Sequence, residues 1–492
     1  MSNTAVLIGQ ISNCRRLDHQ LQLLERRPIS IGWIIVEGGP IGGDSSDEGP
    51  VLGTIERLES IIAKRTPQMA LITLPAAMKD LIMSLRTRLR KLGVADRFMP
   101  TLEDQIAGIG PRTHVDVDLT ALLNRPARTI DQTAVRGVIQ GKRVLITGAG
   151  GSIGSELSRI VARFNPSKLM LVDRSENALF DIDRQIARMA PPLHRKALLH
   201  DVVDAPATLA HFREHAPQVI FHAAAHKHVP MMEDHPAAAV DNNLFGTVSV
   251  CDAADAVGAE RFVMISTDKA VNPCSIMGAT KRLAELYVQH IHRKSTTAYS
   301  MVRFGNVLGS SGSVLETWAR QIADGGPVTV TDPRMTRYFM TIPEAAALVI
   351  QSASLVIPDS SSGEVFLLDM GDPIRIVDLA RRFIELHGLD ARLPDHEDGL
   401  SAMASASPGT VRVVYTGVRP GEKLHEELAF DAEAMRPTRH PDIHIWELQP
   451  PSEAAVVQMI SQLSPGSRSR DSVALAAQIR RLIPESAVQA AA

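Results

Sequence analysis

The chain has 492 residues, of which 45% are hydrophobic and 22% are charged, a balance typical of globular proteins with ample apolar core. At about 100–200 residues per domain, this length predicts about two to four domains. The formal net charge of −3 creates no overall attraction to nucleic acid or to an anionic membrane, so neither is expected as a partner. Cys14, Cys251 and Cys274 form no CxxC pair and no histidine-spaced cluster, which predicts reduced thiols and no metal site.

Residues 1–125 alternate short apolar runs with amphipathic segments, a pattern typical of βαβ units. The first apolar run ends at Gly9, where a dinucleotide-binding turn would need three spaced glycines. The pattern predicts a degenerate Rossmann-like leader domain and favours a regulatory or assembly role without a dinucleotide. The predicted strands are Thr4–Gly9, Ile31–Glu37 and Ala70–Leu74, and the predicted helices are Ile55–Lys64 and Met78–Leu92.

A second and stronger βαβ series follows a predicted connector at residues 126–140. Residues 141–305 are predicted to form a nicotinamide-binding Rossmann domain, which makes the fold class α/β with a doubly wound parallel sheet. Its predicted strands are Arg143–Thr147, Leu169–Asp173, Val219–His222, Arg261–Ser266 and Ser300–Phe304.

After residue 305 the pattern loosens, which predicts a small substrate-binding lobe at 306–450 that returns in part to the Rossmann core. A helix is expected near Pro343–Val356, and the Ser-, Pro- and Asp-rich residues 391–410 are expected to form a surface loop. Residues 451–492 are predicted to be a tail ending in an amphipathic helix. No charge-free apolar stretch reaches about 18 residues, so no membrane span is predicted.

The segment RVLITGAGGSIGSEL carries the first specific chemistry. An apolar strand runs into four glycines, and a helix follows. Glycine permits close approach of the backbone to a pyrophosphate, and the helix N-terminus offers free N–H groups to phosphates. This turn therefore predicts a dinucleotide site that comprises Gly148, Gly150, Gly151, Ser152, Ile153 and Gly154.

The next strand ends at Asp173, an acidic residue suited to the adenosine ribose hydroxyls. It would repel a 2′-phosphate, which favours NAD, whereas the adjacent Arg174 could pair with that phosphate and bind NADP. Asp201 and Val202 are a candidate adenine contact, with a simple strand-end turn as the alternative. Ala223 and Ala224 in the HAAA segment complete the predicted cofactor site.

The segment STDKAVNPCSIMGATKRLAEL supplies the predicted catalytic group. Thr267, Asp268 and Lys269 follow a strand at its carboxyl end, where open α/β sheets bind ligands. Met277 and Lys281 lie four residues apart on the next helix and therefore share one face. The alternative for Asp268 and Lys269 is an ordinary surface ion pair, and for Thr267 it is a hydroxyl bonded to backbone.

The glycine turn, the HAAA segment and the Met277–Lys281 spacing resemble extended short-chain dehydrogenases/reductases. Within that superfamily, STDKAVNP, MGATKR, RFGNVLGSSGSV and RPGEKLHEEL resemble UDP-N-acetylglucosamine 4,6-dehydratases of the polysaccharide-biosynthesis type. The resemblance covers about residues 135–445 and extends weakly through the leader. Longer members of the family carry membrane helices ahead of the leader, which this sequence lacks, so we expect a cytoplasmic protein. The resemblance also implies a homo-oligomer.

The resemblance implies a reaction in which C4 of the sugar is oxidised, water leaves from C5 and C6, and hydride returns to C6. Lys269 is implied as the C5 base and Asp268 as the acid at O6. Burial and proton sharing make the required neutral pair reachable. Lys281 is implied to bind the nicotinamide ribose. Most of the superfamily has tyrosine at Met277, but methionine has no proton to exchange, so Thr267 is the best local partner for the C4 oxygen.

The resemblance also implies residues that bind the substrate, a UDP-sugar. Arginine suits a diphosphate because its planar fork makes paired bonds to phosphate oxygens. The implied substrate-binding residues are Lys227, Asn306, Arg337, Arg419 and Glu422. Two other functions stay open: a nucleotide-sugar epimerase or reductase on the same scaffold, and a non-catalytic sugar-nucleotide sensor suggested by Met277 and the leader domain. The Asp268–Lys269 pair favours the dehydratase, because a C4 epimerase needs no elimination acid.

Overall fold

The computed structural model describes residues 4–22, 28–36, 50–75, 78–99, 101–103, 122–123, 131–356, 363–387, 389–394, 410–429, 435–446 and 448–483. The chain forms two compact units. One comprises residues 1–118, 315–330 and 378–415, and the other comprises residues 119–314, 331–377 and 416–492. The predicted lobe at 306–450 is therefore divided between the two units, and most of the loop predicted at 391–410 lies outside the described residues.

The first unit contains a five-stranded parallel sheet built from the leader. Its strands alternate apolar side chains between two faces, so that Val6 and Ile8 enter one core while Ala5 and Leu7 enter the other. Burial on both faces is what a parallel sheet covered by helices requires. The strand order is Val51–Thr54, Ile29–Ile35, Thr4–Gly9, Met69–Thr73 and Ala95–Phe98, and the helices are Ile11–Gln22, Leu58–Arg65 and Lys79–Lys91. The Rossmann-like character predicted for the leader is confirmed.

The first unit also contains a small parallel sheet of three strands from the predicted lobe. Its strand order is Val328–Val330, Thr410–Tyr415 and Asp390–Arg392. The helices that complete this part of the chain are Val314–Ala323 and Ile376–Leu386.

The second unit is built on a nine-stranded sheet that carries the candidate active site. Seven strands are parallel and two are antiparallel additions at one edge. The order is Met435–Pro437, Ile443–Trp446, Glu364–Leu368, Ala298–Arg303, Arg261–Ile265, Val219–His222, Arg143–Thr147, Lys168–Asp173 and Arg195–Leu199. The predicted doubly wound α/β fold is confirmed, and the edge strand Arg195–Leu199 is the strand whose end was expected just before Asp201 and Val202.

Helices cover both faces of this sheet. Leu145 and Met170 point into one core, whereas Val144 and Ile146 point into the other, which is the alternation expected for a two-sided sheet. The helices of two turns or more are Gln132–Ile139, Ser152–Arg163, Glu176–Met189, Ala205–His215, Gly246–Ala256, Ile276–His292, Ile342–Leu355, Glu453–Leu463 and Ser472–Arg481. Shorter helical pieces of this unit are Val229–Asp234, Pro236–Ala239, the π-helical turn Val240–Phe245 and the 3-10 turn Asp268–Ala270. Its remaining strands pair as Asn306–Leu308 with Phe339–Thr341 and as Thr336–Arg337 with Ile374–Arg375. The first unit contains one further 3-10 turn among its described residues, Ile55–Arg57.

Two segments differ from the sequence-based prediction. The connector at 126–140 includes a helix, because Asp131 caps the N–H groups of Thr133 and Ala134 and the helix buries Val135 and Ile139. The terminal tail contains two helices rather than one, with Val456 and Ile479 buried in the main core. Among the described residues, no helix is both long and apolar enough to cross a membrane.

Candidate active site

A cavity of about 160 Å³ opens at the carboxyl ends of the central strands of the second unit. Loops at this edge of a parallel sheet are where open α/β folds bind ligands. Eight of the residues predicted to bind cofactor line it, namely Gly148, Gly151, Asp173, Arg174, Asp201, Val202, Ala223 and Ala224. The sequence pattern missed His200, His226 and Asn242, which also line it, because no spacing rule connects them to the glycine turn.

The glycine turn is held by the predicted ribose-binding acid. Asp173 Oδ2 accepts a hydrogen bond from Gly150 N at 2.9 Å, and Oδ1 accepts one from Ser175 N at 2.8 Å. Each carboxylate oxygen keeps a further lone pair for another donor. A Cβ at Gly154 would lie 2.0 Å from Gly148 O, so the helix that begins at Ser152 can approach the turn this closely only with glycine.

Arg174 lies at the mouth of the same cavity and is half exposed. Its guanidinium lies 3.1 Å from His226 Nε2 and 3.7 Å from an Asp201 carboxylate oxygen. A 2′-phosphate placed here would face two carboxylates, those of Asp173 and Asp201, as well as the guanidinium. Two carboxylates and one guanidinium therefore meet at this mouth of the cavity.

A buried polar cluster follows strand Arg261–Ile265. Asp268 is fully buried, and its Oδ1 accepts hydrogen bonds from Lys269 Nζ and from Thr267 Oγ1, each at 2.9 Å. Lys269 Nζ also donates to Asn306 Oδ1 at 3.1 Å. Asp268 Oδ2 has no hydrogen-bond partner among the described residues. The pair does not lie on the surface as the alternative supposed, because the Asp268 side chain is fully buried and that of Lys269 is 19% exposed.

Glu426 completes this cluster and was missed by the sequence analysis. Its Oε1 lies 3.9 Å from Lys269 Nζ and 3.7 Å from an Arg337 nitrogen. The side chain is 4% exposed, and burial raises the pKa of its carboxyl, with the Asp268 charge adding to the effect. The RPGEKLHEEL motif contains Glu426, but the motif by itself does not indicate which glutamate turns inward.

Helix Ile276–His292, which carries Met277 and Lys281, packs against the turn that holds Lys269. A Cβ at Gly278 would lie 2.1 Å from Lys269 O, so the helix packs directly against the turn that carries Lys269. Met277 and Lys281 are both buried. Burial lowers the pKa of Lys281 to about 8, opposed by the Glu285 charge.

His222 ends its strand directly before Ala223, which lines the cavity. Its ring nitrogens contact Thr147 Oγ1 at 2.7 Å and Thr247 Oγ1 at 3.0 Å. Burial lowers the pKa of His222 to about 3, and the nearby Lys281 adds to the effect. The ring is therefore neutral at pH 7. Its contact with Thr147 joins the ends of two neighbouring strands, which is a structural role.

The predicted substrate-binding residues differ in the contacts they make. Asn306 belongs to the Asp268 cluster, whereas Lys227 donates to Ser311 O at 2.7 Å. Arg419 is exposed and forms a paired contact with Glu422. Arg337 is buried, and its guanidinium donates to the carbonyls of three residues, Thr336, Lys423 and Leu424, so it holds the RPGEK loop in place.

The described residues also include one group with metal-ligand geometry, although the sequence predicted none. Ligand atoms of His211, Glu214 and His215 lie within 4.8 Å of one another. Lys168 Nζ lies 3.4 Å from His215 Nδ1, and its positive charge opposes a cation there. We assign no metal to this group.

Comparison with known proteins places this site in a family. Residues 144–448 match the family described as polysaccharide biosynthesis protein. The chain belongs to this family. One relative is the "Probable polysaccharide biosynthesis protein EpsC" of Bacillus subtilis. It is 40% identical over 398 residues, which are 80% of this chain and 63% of the relative. The chain thus spans less than two thirds of that relative's length.

Two further relatives cover more of their own length. The inverting UDP-N-acetylglucosamine 4,6-dehydratase of Campylobacter jejuni is 30% identical over 294 residues, or 59% of this polysaccharide biosynthesis protein and 78% of the relative. The solved structure of Pen from Bacillus thuringiensis is 29% identical with a TM-score of 0.54, covering 64% of this chain and 89% of Pen. The family match at residues 144–448 includes every residue of the Asp268 cluster.

Proposed function

We propose that this protein is a nucleotide-sugar 4,6-dehydratase that acts on UDP-N-acetylglucosamine and uses NAD. The observation that carries the proposal is the contact between the fully buried Asp268 and the partly exposed Lys269. Oδ1 and Nζ lie 2.9 Å apart, at the carboxyl end of a central strand. Elimination of water requires a base that takes the C5 proton and an acid that protonates the leaving oxygen, and these two side chains can supply both. The likeness to the Campylobacter jejuni dehydratase supports the choice of reaction and substrate.

The residues of the glycine turn fit a dinucleotide. The first turn of helix Ser152–Arg163 leaves N–H groups without intrahelical acceptors, and these suit a pyrophosphate. Asp173 keeps lone pairs for ribose hydroxyls, and the two carboxylates near Arg174 favour NAD over NADP. A dinucleotide held there would supply reversible hydride transfer, for the oxidation at C4 and the reduction at C6.

Thr267 and Asp268 can remove the C4 hydroxyl proton without a tyrosine. Thr267 Oγ1 already donates to Asp268 Oδ1 at 2.9 Å. A C4 hydroxyl that donates to Thr267 Oγ1 can therefore pass its proton along this bond to the Asp268 carboxylate. Asp268 then holds the proton that the leaving O6 needs, so one carboxyl acts first as base and later as acid.

Lys269 is the proposed base at C5. Asp268 and Asn306 accept two of its N–H bonds, which leaves the remaining position of the nitrogen for the substrate. In the neutral amine this position holds the lone pair. Removal of the C5 proton by Nζ forms the C5–C6 double bond, while the C6–O bond breaks and O6 leaves as water with the Asp268 proton.

The polar residues on loops around the cluster are proposed to hold the UDP part. Arg419 is exposed and can exchange Glu422 for a diphosphate, with which it can make paired bonds. Lys227 supplies a second cation near the Ser311 loop. Arg337 is proposed to act indirectly, because its guanidinium is committed to the carbonyls that shape the RPGEK loop.

Incubation of the protein with UDP-N-acetylglucosamine, followed by NMR of the product, tests the proposal. We expect a UDP-4-keto-6-deoxy sugar with solvent deuterium at C5 when the reaction is run in D₂O. A product epimerised at C4 with its C6 hydroxyl intact would replace the dehydratase by an epimerase. Binding without any product would favour the sensor.

Two variants locate the chemistry within the cluster. Lys269→Ala removes the C5 base but no core packing, so it should bind NAD normally and lose C5 deuterium exchange. Asp268→Asn should block turnover as well, because the amide can neither take the C4 proton nor protonate O6. C5 exchange that persists unchanged in Lys269→Ala would assign the base to another residue.

A further inference from the structure

Glu426 is the second buried carboxyl beside Lys269, and the reaction steps above give it no role. Its Oε1 lies 3.9 Å from Lys269 Nζ. Its Oε2 is buried without a hydrogen-bond partner among the described residues. A buried carboxylate oxygen that lacks a partner is costly, and a proton on that carboxyl lowers the cost by removing the charge.

The charges that face Glu426 come from three segments of the chain. Lys269 and Asp268 belong to the 3-10 turn, Arg337 to a short strand, and Lys423 to the same loop as Glu426. The two nearest cations, Lys269 and Arg337, are themselves shared, with Asp268 and with backbone carbonyls respectively. The carboxyl therefore lies close to a proton donor but lacks a dedicated counter-ion.

The proposed dehydratase has two protons to place in this cluster before elimination. One comes from the C4 hydroxyl and is assigned to Asp268. The other is the ammonium proton of Lys269, which must leave Nζ before the nitrogen can act as a base. A single carboxyl cannot hold both protons.

We propose that Glu426 takes the ammonium proton of Lys269, so that the neutral amine is available to the C5 proton. This inference rests on the proposed function. In the step, an N–H bond of Lys269 breaks, an O–H bond forms at Glu426 Oε1, and the electron pair stays on Nζ. Rotation about the Cε–Nζ bond of the neutral amine then turns this electron pair from Glu426 to the C5 proton. The distance must shorten by about 1 Å, and tightening of this kind is common when a substrate fills an active site.

Glu426→Gln tests the assignment, because glutamine has nearly the same shape but cannot accept this proton. We expect KM and NAD binding to change by less than about twofold, while kcat at pH 7 falls about 10- to 100-fold. The variant's kcat should then rise by about tenfold per pH unit towards the wild-type rate, as hydroxide deprotonates Lys269 directly. The wild-type rate should vary much less over the same range.

Two companion variants separate proton transfer from structure. Glu426→Asp keeps an acid and should retain an intermediate rate without the steep rise with pH. Glu427→Gln is the matched control, because Glu427 is the exposed neighbour that accepts a bond from Asn272 Nδ2 at 2.7 Å; its rate should stay within about twofold of wild type. Circular dichroism and bound-NAD content confirm that each variant is folded.

The outcomes distinguish this inference from the proposed function. A wild-type rate for Glu426→Gln at every pH, or an equal loss at every pH, would overturn the role of Glu426 while leaving the dehydratase intact. A raised KM as the main defect would make Glu426 a structural residue of the loop. A wild-type protein that forms no 4-keto product would overturn the proposed function, and this inference with it.

Discussion

The buried ammonium of Lys281 is expected to lower the free energy of unfolding and to support turnover. Replacement of Lys281 by methionine should therefore raise the first quantity and lower the second. Burial lowers its pKa from 10.5 to about 8. One pKa unit corresponds to about 1.4 kcal/mol, so holding the ammonium in the folded protein at pH 7 costs about 3 kcal/mol. Lys281→Met keeps an unbranched chain of similar length and removes this cost.

We expect cofactor-free Lys281→Met to be more stable than wild type by about 3 kcal/mol at pH 7. For a folded unit of this size, that corresponds to a rise in Tm of about 5–10 °C. The same variant should lose most of its turnover, because it lacks the positive charge that the family resemblance implies beside the nicotinamide ribose. Differential scanning calorimetry and NAD-dependent rates measure the two effects separately.

The pH dependence gives the sharper test. The folded-state pKa of Lys281 is lowered, so the wild-type protein carries the full cost below pH 8 and recovers it as pH rises from 8 to 10.5. The advantage of the methionine variant should therefore shrink across this window. Lys196→Met, at an exposed strand position, is the control and should show no such change. An advantage that is absent at pH 7, or that grows above pH 8, would refute the reasoning.

Three further predictions follow from the site. Thr267→Val should lower kcat more than Met277→Tyr does, because the valine breaks the bond to Asp268 whereas a ring added at the buried Met277 only overpacks the site; a large gain from Met277→Tyr with Thr267→Val silent would contradict this. Gly154→Ala should abolish bound NAD, since a Cβ there would meet Gly148 O at 2.0 Å; NAD content after purification decides it. His222→Gln should make the protein less sensitive to acid, because the folded-state pKa of about 3 means that stability is lost as pH falls from about 6.5 towards 3; an unchanged acid-unfolding midpoint would argue against this account.

The sequence by itself determined the local structure of the second unit and the chemistry of its turns. Strands Arg143–Thr147 and Val219–His222 were predicted to the residue, and the glycine turn was located correctly. These features depend on neighbouring residues only. A run of five apolar residues indicates a buried strand, and a set of spaced glycines indicates a tight turn of the backbone.

The tertiary structure alone decided which distant side chains share the site. Glu426 and Lys269 lie on segments far apart in the sequence, and no periodicity links them. Arg337 looked like a phosphate ligand in the sequence, yet its guanidinium is turned to backbone carbonyls. Likewise, residues 451–492 were predicted to be a tail, but their two helices pack into the core of the second unit through Val456 and Ile479. In each case the outcome depends on long-range packing, because the fold decides which polar groups lose water and must find partners.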